Sequence, residues 1–302
     1  MLFVGQAGTD YLDIVAREGW EERVSEVAVR TIGRMGGWHV ADLQQLRPAA
    51  AAWGVFRQWE GPRARVWRGG CSVMEVKPWD ELAASLSKNH GRPGRRALKR
   101  AEADGVRCEL VAADDAGEAA QRLVTVFREQ WRGNPLPGTE YWTRRFESHL
   151  EAAARRMLAR GWGSISEFRR DREVLISTSM VFGRDFTGTY MIGASQEARQ
   201  RYQWSSLYIW DALNIARSKN HKHLDLLDGL EPYKLRWNPE ISPHYRLILG
   251  KRWVPWGLYS SYHILRSKAV WYARSEYAPQ WASDVADKYR SVRNKGGQYV
   301  RR

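Results

Sequence analysis

The 302 residues are too many for one average domain and too few for three, and with 43% hydrophobic and 27% charged residues they form a globular chain with a core. Two cysteines, Cys71 and Cys108, exclude a disulfide framework and a cysteine-rich zinc site, and no run of about 18 apolar residues exists to span a bilayer. Lys and Arg number 48 against 34 Asp and Glu, a formal charge of +14 that fits either a solvated basic surface or a polyanionic partner such as RNA, DNA, an acidic membrane or a phosphorylated cofactor.

Residues 9–19 and 20–31 each read as a short helix. Trp38–Leu43, Trp53–Trp59 and Arg65–Val76 cluster β-branched and aromatic residues between Gly and Pro breaks and read as strands. From Trp79 the pattern is helix, loop at Gly91–Gly94 (GRPG), then a second helix basic on most sides. Val106–Val111 is a strand, Asp114–Trp131 has a helical period, and Thr139–Arg160 is an amphipathic helix with Thr139 as its cap. Three strands follow at Gly163–Arg169, Val174–Phe182 and Phe186–Ile192, then a long helix, Tyr202–Lys219. His223–Leu227 and Leu247–Trp253 are strands, and Trp256 to about Tyr289 is an aromatic-rich helical tail. This order, β-α-α-β-β-β-α-β-x-β over 106–253, is an α+β chain with a hairpin-rich sheet rather than a repeating βαβ fold.

The positive charge is concentrated. Ala83–Ala101 carries six basic residues and no acid, and the segment from Lys251 to the end carries eleven basic and three acidic residues. The N-terminus lacks the basic region and length of a secretory signal, so the expected compartment is the cytoplasm. Of seven histidines only His221 and His223 lie close together, with no third ligand near, so no metal site is expected. G-x-S-x-G, a phosphate-binding G-x-x-x-x-G-K-[ST] loop and a strand-following G-x-G-x-x-G are all missing.

The most informative segment is Asp225–Trp237, DLLDGLEPYKLRW. A strand runs into Asp-Gly, Gly229 permits a turn a β-carbon would forbid, and Pro232 stops the ladder. The expected result is a rigid corner that projects Glu231, Tyr233 and Lys234 from a strand end, where open α/β sheets place ligands. The alternative is a charged surface turn in which Lys234 pairs with Glu231.

This segment resembles the D-x-L-x-G-x-E-x-Y-K-x-x-W pattern of a bacterial branch of the GNAT N-acyltransferase superfamily, the acetyltransferases of cellulose and exopolysaccharide biosynthesis. That branch is similar to the Fem-type transferases, which move an amino acid from aminoacyl-tRNA to a peptidoglycan precursor. FTGTYMIGAS (Phe186–Ser195) resembles the family's F-x-x-x-Y-x-x-G strand, GTDYLDIVA (Gly8–Ala16) its S-D-Y-x-D element, and Ser85–Gly105 its basic connection. The resemblance implies a GNAT-like mixed sheet flanked by helices in 106–253, a truncated GNAT-like half in 1–78, a basic helical connection in 79–105 and a basic, helical tail in 254–302.

It also implies site residues. Lys234, Tyr233, Glu231, Asp228 and Tyr190 become catalytic candidates, with Lys234 as oxyanion cation and Tyr190 as proton donor to the leaving group. Arg236, Trp204, Ser205, Ser206, Asp10 and Tyr11 become substrate-binding candidates; Arg236 falls on the same side as Lys234 if the segment is extended, and Ser205 and Ser206 can cap a helix. The chain departs from the family at one place. An acyl-CoA enzyme cradles pyrophosphate on a Q/R-x-x-G-x-G/A loop, and here no glycine lies between Ala194 and Gly229.

The expected activity is therefore amide formation by transfer of an aminoacyl group from aminoacyl-tRNA, as co-substrate without further cofactor, to an amine of a peptidoglycan precursor or small biosynthetic intermediate. Acyl-CoA is the second donor considered, and a non-enzymatic nucleic-acid-binding module the third reading. If tRNA is the donor, Lys88, Arg92, Arg95, Arg96, Lys99 and Arg100 are the expected phosphate contacts, with Arg266, Lys268 and Arg274 of the tail. Tail aromatics such as Trp271 and Tyr272 either stack on unpaired bases or form a packed helix face.

Overall fold

The computed structural model describes Met1, residues 9–132 and residues 143–273. Its elements run α1 (Glu21–Arg34), β1 (Val40–Leu46), α2 (Ala52–Gln58), β2 (Arg63–Glu75), α3 (Trp79–Ser85), α4 (Lys88–Ala103), β3 (Arg107–Leu110) and a 3₁₀ turn at Ala113–Asp115. After α5 (Ala116–Gln130) and α6 (Arg144–Ala159) come β4 (Gly163–Arg170), β5 (Glu173–Phe182), β6 (Phe186–Ala194), α7 (Gln196–Arg201), α8 (Trp204–Ser218), β7 (His223–Asp228), α9 (Pro232–Leu235), β8 (Glu240–Gly250) and α10 (Trp253–Ala273). The α+β class, the mixed sheet flanked by helices and the helical C-terminal portion are as expected. Residues 186–192 and 223–227, whose placement in helices would have refuted the reading, are strands.

The chain divides into two units, and the division differs from the expected 1–78 and 106–253. The first takes the described residues up to Cys71 together with those from Ile241 onward; the second takes Ser72–Glu240. Strand β8 was expected in the second but pairs antiparallel with β1 from Val40↔Gly250 to Leu43↔Leu247, and its neighbour on the other side is β2. The basic stretch expected as a connection is α3 and α4 of the second unit.

In the first unit, α1 and α2 are in close contact. Ser25 Oγ donates to the carbonyls of Glu21 and Ala51, and a β-carbon at Gly54 would come within 2.2 Å of that hydroxyl oxygen. Helix α2 corrects the expected strand at Trp53–Trp59. Ala52 and Val55, with Trp59 just after its end, are buried at a helical spacing that the dense aromatics disguised, and Gly54 is buried between them. Asp13 caps it from a distance, accepting from the backbone N–H groups of Ala51 at 2.8 Å and Ala52 at 2.9 Å. Residues 9–19, expected as a helix, are not helical; Leu12 N–H donates instead to Gln45 O at 3.1 Å.

In the second unit, which takes only the last residues of β2, the strand order is β7-β6-β5-β4-β3, antiparallel from β3 to β6 and parallel between β6 and β7. Helices α5 and α6 pack on one face over Ile165 and Met191. Helices α3, α4 and α8 pack on the other, over Phe168, Ile176, Met180 and Leu224. Gly193 lets α5 approach β6: a β-carbon there would lie 2.6 Å from Phe127 N. The GRPG stretch is not a loop but lies inside α4. Its glycines serve close packing, since a β-carbon at Gly91 would strike Ala83 O at 2.0 Å and one at Gly94 would sit 3.1 Å from Ser206 Oγ. Thr143, not Thr139, caps α6 by accepting from Phe146 N–H at 3.1 Å; Thr139 and residues 133–138 lie outside the described residues.

Candidate active site

Strands β6 and β7 form a parallel ladder over only three rungs, Phe186↔His223 to Gly188↔Asp225, although β6 continues to Ala194 and β7 to Asp228. Two local devices accompany the parting. In β6, Ser179 of β5 pairs with Met191 and Met180 with Thr189, so Tyr190 is an extra, bulged residue. In β7, Leu227 is buried with φ of 58°, a left-handed backbone that a branched side chain rarely takes. Asp225 holds it there: its carboxylate accepts from Leu227 N–H at 2.8 Å. An acid two residues before a turn is a known turn-maker, and that spacing was the available signal for Asp225.

The corner after β7 is tight. Gly229 has φ of 114°, a backbone that L side chains rarely adopt, and a β-carbon on it would lie 2.4 Å from the Glu231 carboxylate oxygens, which would have to move. Its carbonyl accepts from Ser72 Oγ at 3.4 Å. Pro232 then opens α9, where its fixed φ is at home in the first helical turn.

Lys234 does not project. It is 6% exposed, and its ammonium donates to Asp228 O at 2.6 Å and pairs with Glu231 at 3.2 Å. It thus ties α9 back to the strand end and places its charge beneath the corner. Because residues 232–235 are helical, Arg236 is not on the same side as Lys234, correcting the extended-chain expectation. Trp237 closes the segment by packing on Trp79, with ring centroids 5.9 Å apart.

Tyr233 meets Trp204, the first residue of α8, with ring centroids 5.5 Å apart, and Trp204 stacks on Tyr208 at 5.6 Å. Burial, then the Glu231 charge, pushes the Tyr233 phenol above its usual range. Burial, then Tyr233 and Glu231, does the same for Tyr208, whose fully buried hydroxyl finds no hydrogen-bond partner among the described residues. Both stay protonated through the neutral range, so they are proton donors rather than bases. The corner therefore joins a cation and a half-exposed carboxylate to Tyr233, whose ring meets the Trp204 indole together with that of Tyr208.

Other expected residues fall elsewhere. Tyr190, through its bulge, packs with the α5/α6 cluster on the opposite face of the sheet. Ser205 and Ser206 do not cap α8; the cap position is Gln203, without a side-chain bond, and both serines are buried inside the helix. Asp10 and Tyr11 belong to the first unit, where the Tyr11 ring meets the His244 ring at 5.0 Å. On α4, Arg92, Arg96, Lys99 and Arg100 are exposed along one stripe opposite Gly91, Gly94, Ala97 and Ala101, while Arg95 lies near Asp80 at 4.0 Å. Lys88 starts α4. Arg266 and Lys268 lie on α10 in the first unit, and Arg274 lies outside the described residues. Among the described residues no group of His, Cys, Asp and Glu is arranged to hold a metal ion, and no helix is long and apolar enough to cross a membrane.

Residues 89–235 match the model of an acetyltransferase (GNAT) domain, a span from α4 to the corner, so this segment is an acyltransferase domain of the GNAT type. Solved structures share the fold at low identity. L-PGS from Bacillus licheniformis is 13% identical with a TM-score of 0.58, covering 84% of this chain and 79% of its own. FemX is 9% identical with a TM-score of 0.57, covering 83% and 81%. The C-terminal domain (DUF2156) of a candidate lysylphosphatidylglycerol synthetase from Agrobacterium fabrum is 13% identical with a TM-score of 0.56, covering 85% and 80%. No curated protein matches the chain.

Proposed function

We propose that this chain is an N-acyltransferase that moves an aminoacyl group from aminoacyl-tRNA to the amine of a peptidoglycan precursor or small biosynthetic intermediate. The observation that carries the reading is Trp204. In a GNAT that uses acyl-CoA, backbone N–H groups beside small residues cradle the pyrophosphate at a helix start. Here α7 fills the connection after β6, no glycine lies between Ala194 and Gly229, and the Trp204 ring sits at the start of α8 between Tyr208 and Tyr233. Such bulk opposes a close pyrophosphate approach. The exposed α4 stripe, in the same unit, offers four cations to a polyanion. The likeness to FemX and to L-PGS agrees with this reading, as does the resemblance of DLLDGLEPYKLRW to the Fem-related branch.

In the reaction, the acceptor nitrogen attacks the ester carbonyl carbon, the C–N bond forms, the C–O bond to the ribose breaks, and one amine proton ends on the departing ribose hydroxyl. The ester is already activated, so alignment supplies much of the rate. Lys234 spends two of its three protons on the corner, and the third is the proposed oxyanion donor. Glu231 holds the acceptor ammonium or takes its proton, with Asp228 beside it, and Tyr233 is the proposed donor to the leaving oxygen in place of Tyr190.

The second reading, an acyl-CoA-dependent N-acetyltransferase of polysaccharide or secondary-metabolite biosynthesis, is favoured by the acetyltransferase domain match. One assay separates them. Label is followed into amide from charged tRNA or from acetyl-CoA, with a low-molecular-weight cell extract as acceptor pool, with and without RNase. Product from charged tRNA that RNase abolishes supports the proposal; RNase-resistant product from acetyl-CoA overturns it.

A further inference from the structure

Helix α10 is apolar on both sides. Its inner side packs within the first unit: the Trp256 indole donates to Ile248 O at 3.2 Å, the Tyr259 hydroxyl to Asp42 at 2.7 Å, and the Ser267 hydroxyl to Trp67 O at 2.9 Å. Its outer side does not turn polar. Val254, Leu258, Tyr262 and Leu265 fall at helical spacing in one stripe, and Val254, Leu258 and Leu265 are 67% to 75% exposed. Trp253, the first residue of α10, is also exposed but falls outside that stripe. Isolated exposed apolar residues need no explanation, but an aligned set of large ones marks a surface that is covered in use.

The charge around the stripe identifies what covers it. Lys251 and Arg252 precede α10 and Lys268 borders the stripe, all exposed. The sequence beyond Ala273 adds seven basic residues against three acidic ones. A second copy of the chain, itself +14 overall, would bring the same exposed Lys251, Arg252 and Lys268 to this face, and like charges would oppose it. An anionic bilayer presents the complementary charge and an apolar layer beneath it. A helix with Val, Leu and Tyr on one face and cations at its margins lies in such an interface without crossing it.

We propose that the outer face of α10 docks this protein on an anionic lipid surface, with Val254, Leu258, Tyr262 and Leu265 entering the headgroup boundary and Arg252 and Lys268 meeting lipid phosphates. This inference stands apart from the donor assignment and is tested without it. The RNase-treated full chain is floated with vesicles of phosphatidylcholine alone or with about a third phosphatidylglycerol, an anionic fraction high enough to give a negative surface potential. Binding to the anionic vesicles is expected to exceed binding to the neutral ones by at least about tenfold. The variant Leu258→Ser/Leu265→Ser adds no charge and touches no core residue, and it is expected to lose at least about tenfold of that binding with an unchanged thermal midpoint. Failure of the native chain to float, equal flotation on both vesicles, or flotation untouched by the double substitution each overturns the proposal. So does a dimer in sedimentation that the substitution dissociates, which would make the stripe a self-association face.

Discussion

Lys234→Met removes the ammonium and keeps most of the side-chain length. The position is buried, so the methionine stem stays packed while two polar contacts disappear: the bond to Asp228 O at 2.6 Å and the pair with Glu231 at 3.2 Å. A charge-assisted hydrogen bond of this kind contributes about 1.5–3 kcal/mol. Glu231 is half-exposed, so water takes over part of its loss, and the expected destabilisation stays near about 2–3 kcal/mol, or a midpoint lower by roughly 5–10 °C. The effect on rate is the sharper expectation. Loss of one oxyanion contact costs about 100-fold or more, in kcat rather than KM, because the contact forms only as the carbonyl becomes tetrahedral. Single-turnover aminoacyl transfer well below the mutant's midpoint reads it. Pairing the substitution with Glu231→Gln isolates the stability role: if Lys234 neutralises Glu231, the double variant recovers the lost thermal midpoint, which is read apart from rate because Glu231 is itself placed in the reaction. A folded Lys234→Met enzyme with near-native turnover removes Lys234 from the mechanism.

Changing Arg92, Arg96, Lys99 and Arg100 together to Ala should flatten the log–log salt dependence of tRNA binding by roughly 2 to 4 and raise the KM for charged tRNA, while turnover of a minimal aminoacyl ester stays level; an unaltered slope shows that α4 is not the grip. Gly229→Ala forces a β-carbon into the Glu231 carboxylate at a φ of 114°, so it should cost about 1–3 kcal/mol in thermal denaturation and lower transfer activity, whereas a tolerated alanine contradicts the described corner. Burial pushes the Asp211 carboxyl above its ordinary value, so in the folded state the charged form is penalised above that raised pKa and the penalty vanishes as pH falls below the unfolded value near about 4. Asp211→Asn should therefore raise the urea midpoint at neutral pH and lose that advantage near pH 4 on the same scale; equal effects at both pH values refute the assignment.

The strands of the second unit were legible because alternation and turn residues agree there: 163–170, 173–182 and 186–194 stand close to where their patterns put them. The corner was legible as a place through Gly229 and Pro232, yet its shape was not. Lys234 folding back on Asp228 O depends on a helical turn only four residues long, which no periodicity announces. Where glycine carried two meanings the turn meaning misled, since Gly91 and Gly94 serve helix packing and leave α4 unbroken around Pro93. Ser205 and Ser206 looked like caps because capping is their commonest use near a helix start, but α8 begins a residue earlier and buries both. Tyr190 was assigned by motif, and a one-residue bulge sends it to the far face of the sheet; a register shift of that size has no signature in one sequence. Asp13 and Asp225 act through backbone N–H groups, Asp13 on a helix 38 and 39 residues away, so only the folded chain reveals the first.

We propose that the donor end of this site takes acylated RNA and not a nucleotide pyrophosphate. Equilibrium binding tests it most directly: a hydrolysis-resistant, amide-linked aminoacyl-tRNA and acetyl-CoA are titrated separately and in competition, for the native chain and for Trp204→Gly. The expected result is salt-sensitive binding of the tRNA analogue that millimolar acetyl-CoA does not displace, with acetyl-CoA affinity emerging only in Trp204→Gly. Micromolar binding of acetyl-CoA to the native chain, with the tRNA analogue held no better than uncharged RNA, would contradict it.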